Sequence, residues 1–138
     1  MIQMIIGKKG SGKTKRLIDA VNSAVEKSNG NVVCVEQGPT LTYDLSHKVR
    51  LVDTTVYGVA GYDAFYGLLA GICAGNFDVT DVFVDATLRI GGRDYKLLND
   101  FMAQVAKLSE AAETNFTFTV SCDESELPAS IFESAQKI

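Results

Sequence analysis

Apolar residues fall along this chain in two rhythms, short nearly continuous runs and longer stretches spaced three or four apart, which predict strands and helices in alternation. Met1-Ile2-Gln3-Met4-Ile5-Ile6 is a run of the kind shown by a strand buried on both faces. Leu17, Val21, Ala24 and Val25 recur at helical spacing and predict a helix from about Gly12 to Asn29, with Asn29-Gly30 as its stop signal. Val32–Val35 reads as a second buried strand and Val49–Val52 as a third. Between them, Glu36-Gln37-Gly38-Pro39-Thr40 carries the Gly-Pro pair of a loop. Tyr62–Gly75 predicts a helix apolar on nearly all faces, and Val79–Asp85 an apolar strand ending in a carboxylate. Leu98, Phe101, Met102, Val105 and Leu108 mark an amphipathic helix from about Asp94 to Glu113. Phe116, Phe118 and Val120 then alternate with Thr117, Thr119 and Ser121, giving a strand with one apolar and one hydroxyl-bearing side. Asp123-Glu124-Ser125-Glu126 leads into a short helix with Pro128 near its first turn.

Between the first strand and the first helix lies Gly7-Lys8-Lys9-Gly10-Ser11-Gly12-Lys13-Thr14, which fits G-x-x-x-x-G-K-[ST] at every fixed position. Glycines allow backbone conformations closed to other residues, so successive N–H groups can turn inward on one anion and cradle phosphate oxygens. A helix starting beyond Gly12 adds its unpaired first-turn amides and the positive end of its dipole. Lys13 can reach the β- and γ-phosphates, and the Thr14 hydroxyl is placed to ligate Mg²⁺. A Gly-rich turn that binds nothing has no use for Lys13 and Thr14 together.

Charge supports that reading. The net charge is −4, yet residues 1–30 carry six Lys and Arg against two Asp and Glu, and the remainder seven against fifteen. Positive charge gathered at the loop favours a polyphosphate, whereas an acidic chain with no other basic cluster is a poor binder of nucleic-acid backbone. Lys15 and Arg16 either join that field or merely solvate a helix end. At 138 residues the chain reads as one domain able to bury roughly two-thirds of its unfolded surface. Cys34, Cys73 and Cys122 are odd in number and lack C-x-x-C spacing, so they read as reduced, mostly buried thiols, with a zinc site disfavoured. His47 is the only histidine, which excludes multi-His metal sites. The start shows no basic lead of a signal peptide, and the longest apolar run, Ala64–Gly75, is too short to span a bilayer, so a cytoplasmic protein is expected.

Further positions carry candidate chemistry. Asp85, ending its strand downstream of the loop, reads either as a Mg²⁺-holding carboxylate opposite Thr14 or as a plain strand-end Asp. Arg89 and Arg93, in the segment Thr87–Arg93 read as a loop with a Gly-Gly break, are candidates for stabilising charge on a transferring phosphate or for surface solvation. Ser121 either senses a terminal phosphate or simply ends its strand. Gln37 and Thr40, beyond a strand's carboxyl end, either face a nucleotide or belong to an ordinary surface loop. Gly67, Gly71 and Gly75 line one side of their helix, which allows close approach of another backbone, in packing on a sheet or at a subunit interface.

With Gly7–Thr14 as Walker A and Asp85 as Walker B, the chain resembles the P-loop NTPases over nearly its whole length. The resemblance implies a three-layer α/β fold, a mostly parallel sheet of about five strands with helices on both faces, and Mg²⁺-nucleotide at the strands' carboxyl ends. The well-separated Asp85 and Ser121 strands are more like RecA-type ATPases than GTPases. The chain has no N-K-x-D run to read guanine, so ATP is expected over GTP. Many ATP-hydrolysing members follow the Walker-B Asp with a Glu that activates water; here the position is Ala86, and Thr87 cannot replace it. The chain is also similar to short stand-alone bacterial P-loop proteins of unsettled function, some labelled twitching-motility ATPases, although the match to motor families is confined to the loop. The expected activity is a nucleotide-gated switch or a weak, partner-dependent NTPase. The alternatives are a small-molecule phosphotransferase and an interaction module that keeps a P-loop and pairs through the Gly67/Gly71 helix.

Overall fold

A computed structural model describes residues 1–138. Six strands, β1 (Ile2–Ile6), β2 (Asn31–Glu36), β3 (Arg50–Asp53), β4 (Val79–Val84), β5 (Asn115–Val120) and β6 (Gln136–Lys137), form one sheet. Its spatial order is β3-β2-β4-β5-β1-β6, and every pairing is parallel. The helices are α1 (Lys13–Lys27), α2 (Tyr62–Gly75), α3 (Thr87–Gly91), α4 (Tyr95–Ala112) and α5 (Ile131–Ser134).

Strand alternation sorts the core into two layers. On one face, Met4, Val33, Val35, Val82, Val84, Phe116 and Phe118 pack with Phe65 and Leu69 of α2 and Phe101 and Met102 of α4, within a cluster of 25 buried residues. On the other, Ile5, Val32, Cys34 and Phe83 meet Leu17 and Val21 of α1 and Leu41, in a cluster of seven. Helices therefore cover both faces. α4 starts where Asp94 accepts from the N–H groups of Lys96 (3.0 Å) and Leu97 (3.1 Å), satisfying first-turn donors. The three cysteines are free and buried, and no helix is long and apolar enough to cross a membrane.

Four expectations are corrected. The sheet has six strands, all parallel, where about five, mostly parallel, were expected; β6 pairs Gln136 and Lys137 with Gln3 and Met4 at the edge. Residues 87–91 are helical rather than a loop, because Gly91 continues the helix and the break comes at Gly92, whose φ of +104° ends it. The polar segment after β5 forms a 3₁₀ turn at Glu124–Glu126, and Pro128 leads into the separate α5. Finally, the glycine stripe does not pack against the sheet. A Cβ added at Gly67, Gly71 or Gly75 would meet nothing within 4 Å, because α2 turns Tyr62, Phe65, Leu69 and Cys73 inward and leaves its glycines outside.

Candidate functional site

The carboxyl ends of β1, β4 and β5 open into a cleft of about 790 Å³. The chain leaves β1 at Gly7, whose N–H donates to Val120 O (3.2 Å) at the end of β5, tying the start of the glycine loop to its neighbour strand. Gly10 and Gly12 both take φ of +85°, a left-handed conformation that favours glycine. Gly12 is the N-cap of α1 and no side chain caps the helix, so the first-turn N–H groups face no protein acceptor from a cap. Gly7 itself has no room for a Cβ, which would collide with the Ser11 side chain.

Lys13, at the first turn of α1, is only 7% exposed. Its ammonium donates to Lys8 O (3.0 Å) and reaches Ser11 Oγ (3.5 Å), bridging the loop from end to end. Burial pulls its pKa below the ordinary lysine value, and the Asp85 carboxylate opposes that shift. Across the cleft, Asp85 follows β4. Its N–H donates to Val35 O (2.9 Å), and its carboxylate faces the Thr14 hydroxyl at 3.3 and 3.4 Å. The two residues singled out as opposite one another, 71 positions apart, are thus brought together.

Thr119 was not singled out from the sequence, and it organises Asp85. Its hydroxyl donates to Asp85 Oδ1 at 2.6 Å and accepts from the Ala86 N–H at 2.9 Å. The register places Thr119 one position beyond the Val84–Phe118 pair, level with Asp85. Ala86 holds φ 59° and ψ 47° at the N-cap of α3, a left-handed conformation that costs a non-glycine residue about 1 kcal/mol. No carboxylate stands at this position, and the Thr87 hydroxyl beside it is buried without a partner.

Arg89 and Arg93 both line the cleft, with Lys8, Lys9, Gly10, Gly12, Lys13 and Thr14. Arg93 is anchored by its guanidinium to Ser121 O (3.1 Å), and Ser121 also lines the cleft. Gly7 and Ser11 do not line it and serve the loop's shape. Opposite the cations stand Asp85, Asp123 and Glu126. Asp123 pairs with Lys8 at 3.8 Å in an exposed contact, and Glu126 accepts from the Asp123 N–H at 3.2 Å and the Tyr95 hydroxyl at 3.2 Å. Five cationic side chains against three acidic ones leave the cleft positive in a chain of net charge −4. Cys122 also lines the cleft, buried, with its thiol pKa raised chiefly by burial.

Gln37 and Thr40 do not line the cleft. Thr40 is drawn back over β2 by Glu36, 2% exposed, whose Oε1 accepts from the Thr40 N–H (2.9 Å) and hydroxyl (2.8 Å) while Oε2 accepts from the Leu41 N–H (3.3 Å). Gln37 Nε2 donates to Arg89 O (3.3 Å), steadying α3 from behind. The fully buried Glu36 gave no signal in the sequence beyond its place at a strand end. Compared with models of known protein families and with curated proteins, the chain matches none.

Proposed function

We propose that this chain binds a Mg²⁺-nucleoside triphosphate, ATP being the expected one, on a P-loop NTPase-like fold of the RecA-type side. The observation that carries the reading is the buried Lys13 ammonium spanning the Gly7–Thr14 loop while Thr14 faces Asp85 at 3.3 Å. The backbone amides of the loop and of the first turn of α1 would hold phosphate oxygens, and Lys13, lining the cleft and fixed by Lys8 O, would add its charge. No group of three or more His, Cys, Asp or Glu side chains could hold a metal. The Thr14 hydroxyl and Asp85 carboxylate are hard oxygen donors, and that sparse set fits an ion carried in by the nucleotide's own phosphates. Mg²⁺ held there would neutralise phosphate charge, and Thr119 keeps the Asp85 carboxylate turned toward Thr14.

Turnover is expected to be slow. Ala86 occupies the place of a water-activating Glu, Thr87 is sequestered, and Asp123 and Glu126 are tied to their own turn. A switch, or an NTPase completed by a partner, follows. Arg89 and Arg93 lining the cleft favour phosphoryl transfer to a small molecule as the second reading, with both arginines stabilising the moving charge. Titration calorimetry with ATP and Mg²⁺ tests the proposal. Saturable heat is expected, with affinity about 100-fold weaker in Lys13→Ala, as loss of a charge-assisted contact of roughly 3 kcal/mol implies. No heat, or undiminished binding by the variant, would sink it. Product formation from ATP in a metabolite screen would favour the transferase.

A further inference from the structure

A second cavity, of about 460 Å³, lies near the amino ends of β2 and β4, away from the cleft. Val33, Val52 and Val79 line it from the sheet and Leu68 and Ile72 from α2, with Tyr57 at its rim. It exists because the layer over this part of the sheet is incomplete. The crossover from β2 to β3 contains no helix, and it sends Leu41, Leu45 and Val49 to the opposite face. On the cavity's side, α2 is drawn to α4, with the Phe65 and Phe101 rings 4.6 Å apart.

The polar part of the lining is one-signed. Lys48 and Arg50 line the cavity and no Asp or Glu does. Neither cation takes part in any of the chain's ion pairs, which join Lys8, Lys15 and Lys137 to carboxylates elsewhere. In a chain of net charge −4, two unpaired cations beside buried valines complement an anion that carries apolar surface. Asn31 and Asn76 add amide donors, Asn76 using its carbonyl oxygen on the Asp78 N–H (2.9 Å). Pockets of roughly 300–1,000 Å³, mostly apolar with a few directing polar groups, are the usual form of small-molecule sites.

We propose that this cavity binds a small amphiphilic carboxylate, its hydrocarbon body against Val33, Val52, Leu68 and Ile72 and its carboxylate between Lys48 and Arg50. The guanidinium fork suits a planar carboxylate, and the ammonium adds a point charge. The site is independent of nucleotide binding.

Methyl NMR on the full chain, with decanoate below its micelle concentration as the probe, tests it. Saturable shifts are expected at the methyls of Val33, Val52, Leu68 and Ile72, with none at Leu88 in the cleft. Decanol should bind about tenfold more weakly, and Lys48→Gln with Arg50→Gln should weaken decanoate about tenfold while leaving decanol unchanged, the factor expected for a charge-assisted contact near 1.4 kcal/mol. Both substituted residues are exposed, so the fold is kept. Absent or unsaturable shifts would overturn the proposal, as would decyltrimethylammonium binding as well as decanoate. Concentration-dependent shifts of the same methyls without probe, accompanied by a dimer mass in light scattering, would assign the cavity to a second copy and also overturn it.

Discussion

The two faces of the sheet are built from the same six strands and do different work. Toward α2 and α4 the strands present Met4, Val33, Val35, Val82, Val84, Phe116 and Phe118, and the aromatic rings continue through Phe101, 5.1 Å from Tyr62 and 5.8 Å from Phe118. Toward α1 the same strands present Cys34 and Glu36, Phe83 and Asp85, Thr117 and Thr119. That face has a smaller apolar cluster, and near its carboxyl end Thr119 holds Asp85 at the cleft. Since neighbouring residues point to opposite faces, the chain along β4 and β5 supplies packing on one side and, at the carboxyl ends, Asp85 and Thr119 on the other. The division predicts that substitutions in the larger apolar cluster change stability without changing the proposed nucleotide binding.

Substitutions at four positions sharpen or break that division. Phe101→Ala should have the largest effect, because it removes a ring held among Tyr62, Phe65 and Phe118. Cavity creation at such a site costs about 3–5 kcal/mol, to be read by chemical denaturation. Nucleotide affinity per folded molecule should stay unchanged; a parallel loss would show that the faces are coupled. Thr119→Val keeps the shape but removes the hydroxyl between Asp85 and the Ala86 N–H. A stability loss of about 1–3 kcal/mol is expected, together with weaker Mg²⁺-ATP binding in calorimetry, and Thr119→Ser should restore both. Unchanged affinity would reduce Thr119 to packing. The smallest effect belongs to Gly67→Ala and Gly71→Ala, each expected to stabilise by about 0.5–1 kcal/mol, since the added methyl meets nothing and the helix backbone is restrained. Destabilisation, or a lower mass in light scattering, would show that this face is held against another molecule.

What the sequence displayed was what short-range pattern encodes. The strand-loop-helix unit at Gly7–Thr14, the bounds of α2 and α4, and Asp85 at a strand end all follow from spacing, and Asp85 does stand opposite Thr14. Long-range consequences of strand order were hidden. Thr119 belongs to a visible hydroxyl stripe, but its contact with Asp85 depends on β5 lying beside β4. β6 has two polar residues and no apolar signal, and only its pairing with Gln3 and Met4 defines it. Arg89 and Arg93 are exposed and line the cleft, a placement hidden in one dimension because the helical turn that continues through Gly91 looks like a loop. Glu36 is the hardest case: a buried carboxylate satisfied by three local donors looks, in one dimension, like any polar residue opening a turn.

The hydrogen bond from Gly7 to Val120 has a consequence for the order in which the molecule is made. β1 pairs with β5 and β6 and with no strand near it in the chain; the amino group of Met1 likewise reaches Ser109 Oγ (2.8 Å), 108 positions away. On a ribosome the loop emerges before β5 and lacks the contact that fixes its exit from β1 until residues 115–120 have been synthesised. Contacts of such long sequence separation form late and slowly. The shape of the glycine loop is therefore a property of the finished sheet, and the proposed capture of a polyphosphate would mark the moment at which a newly made chain has closed its centre.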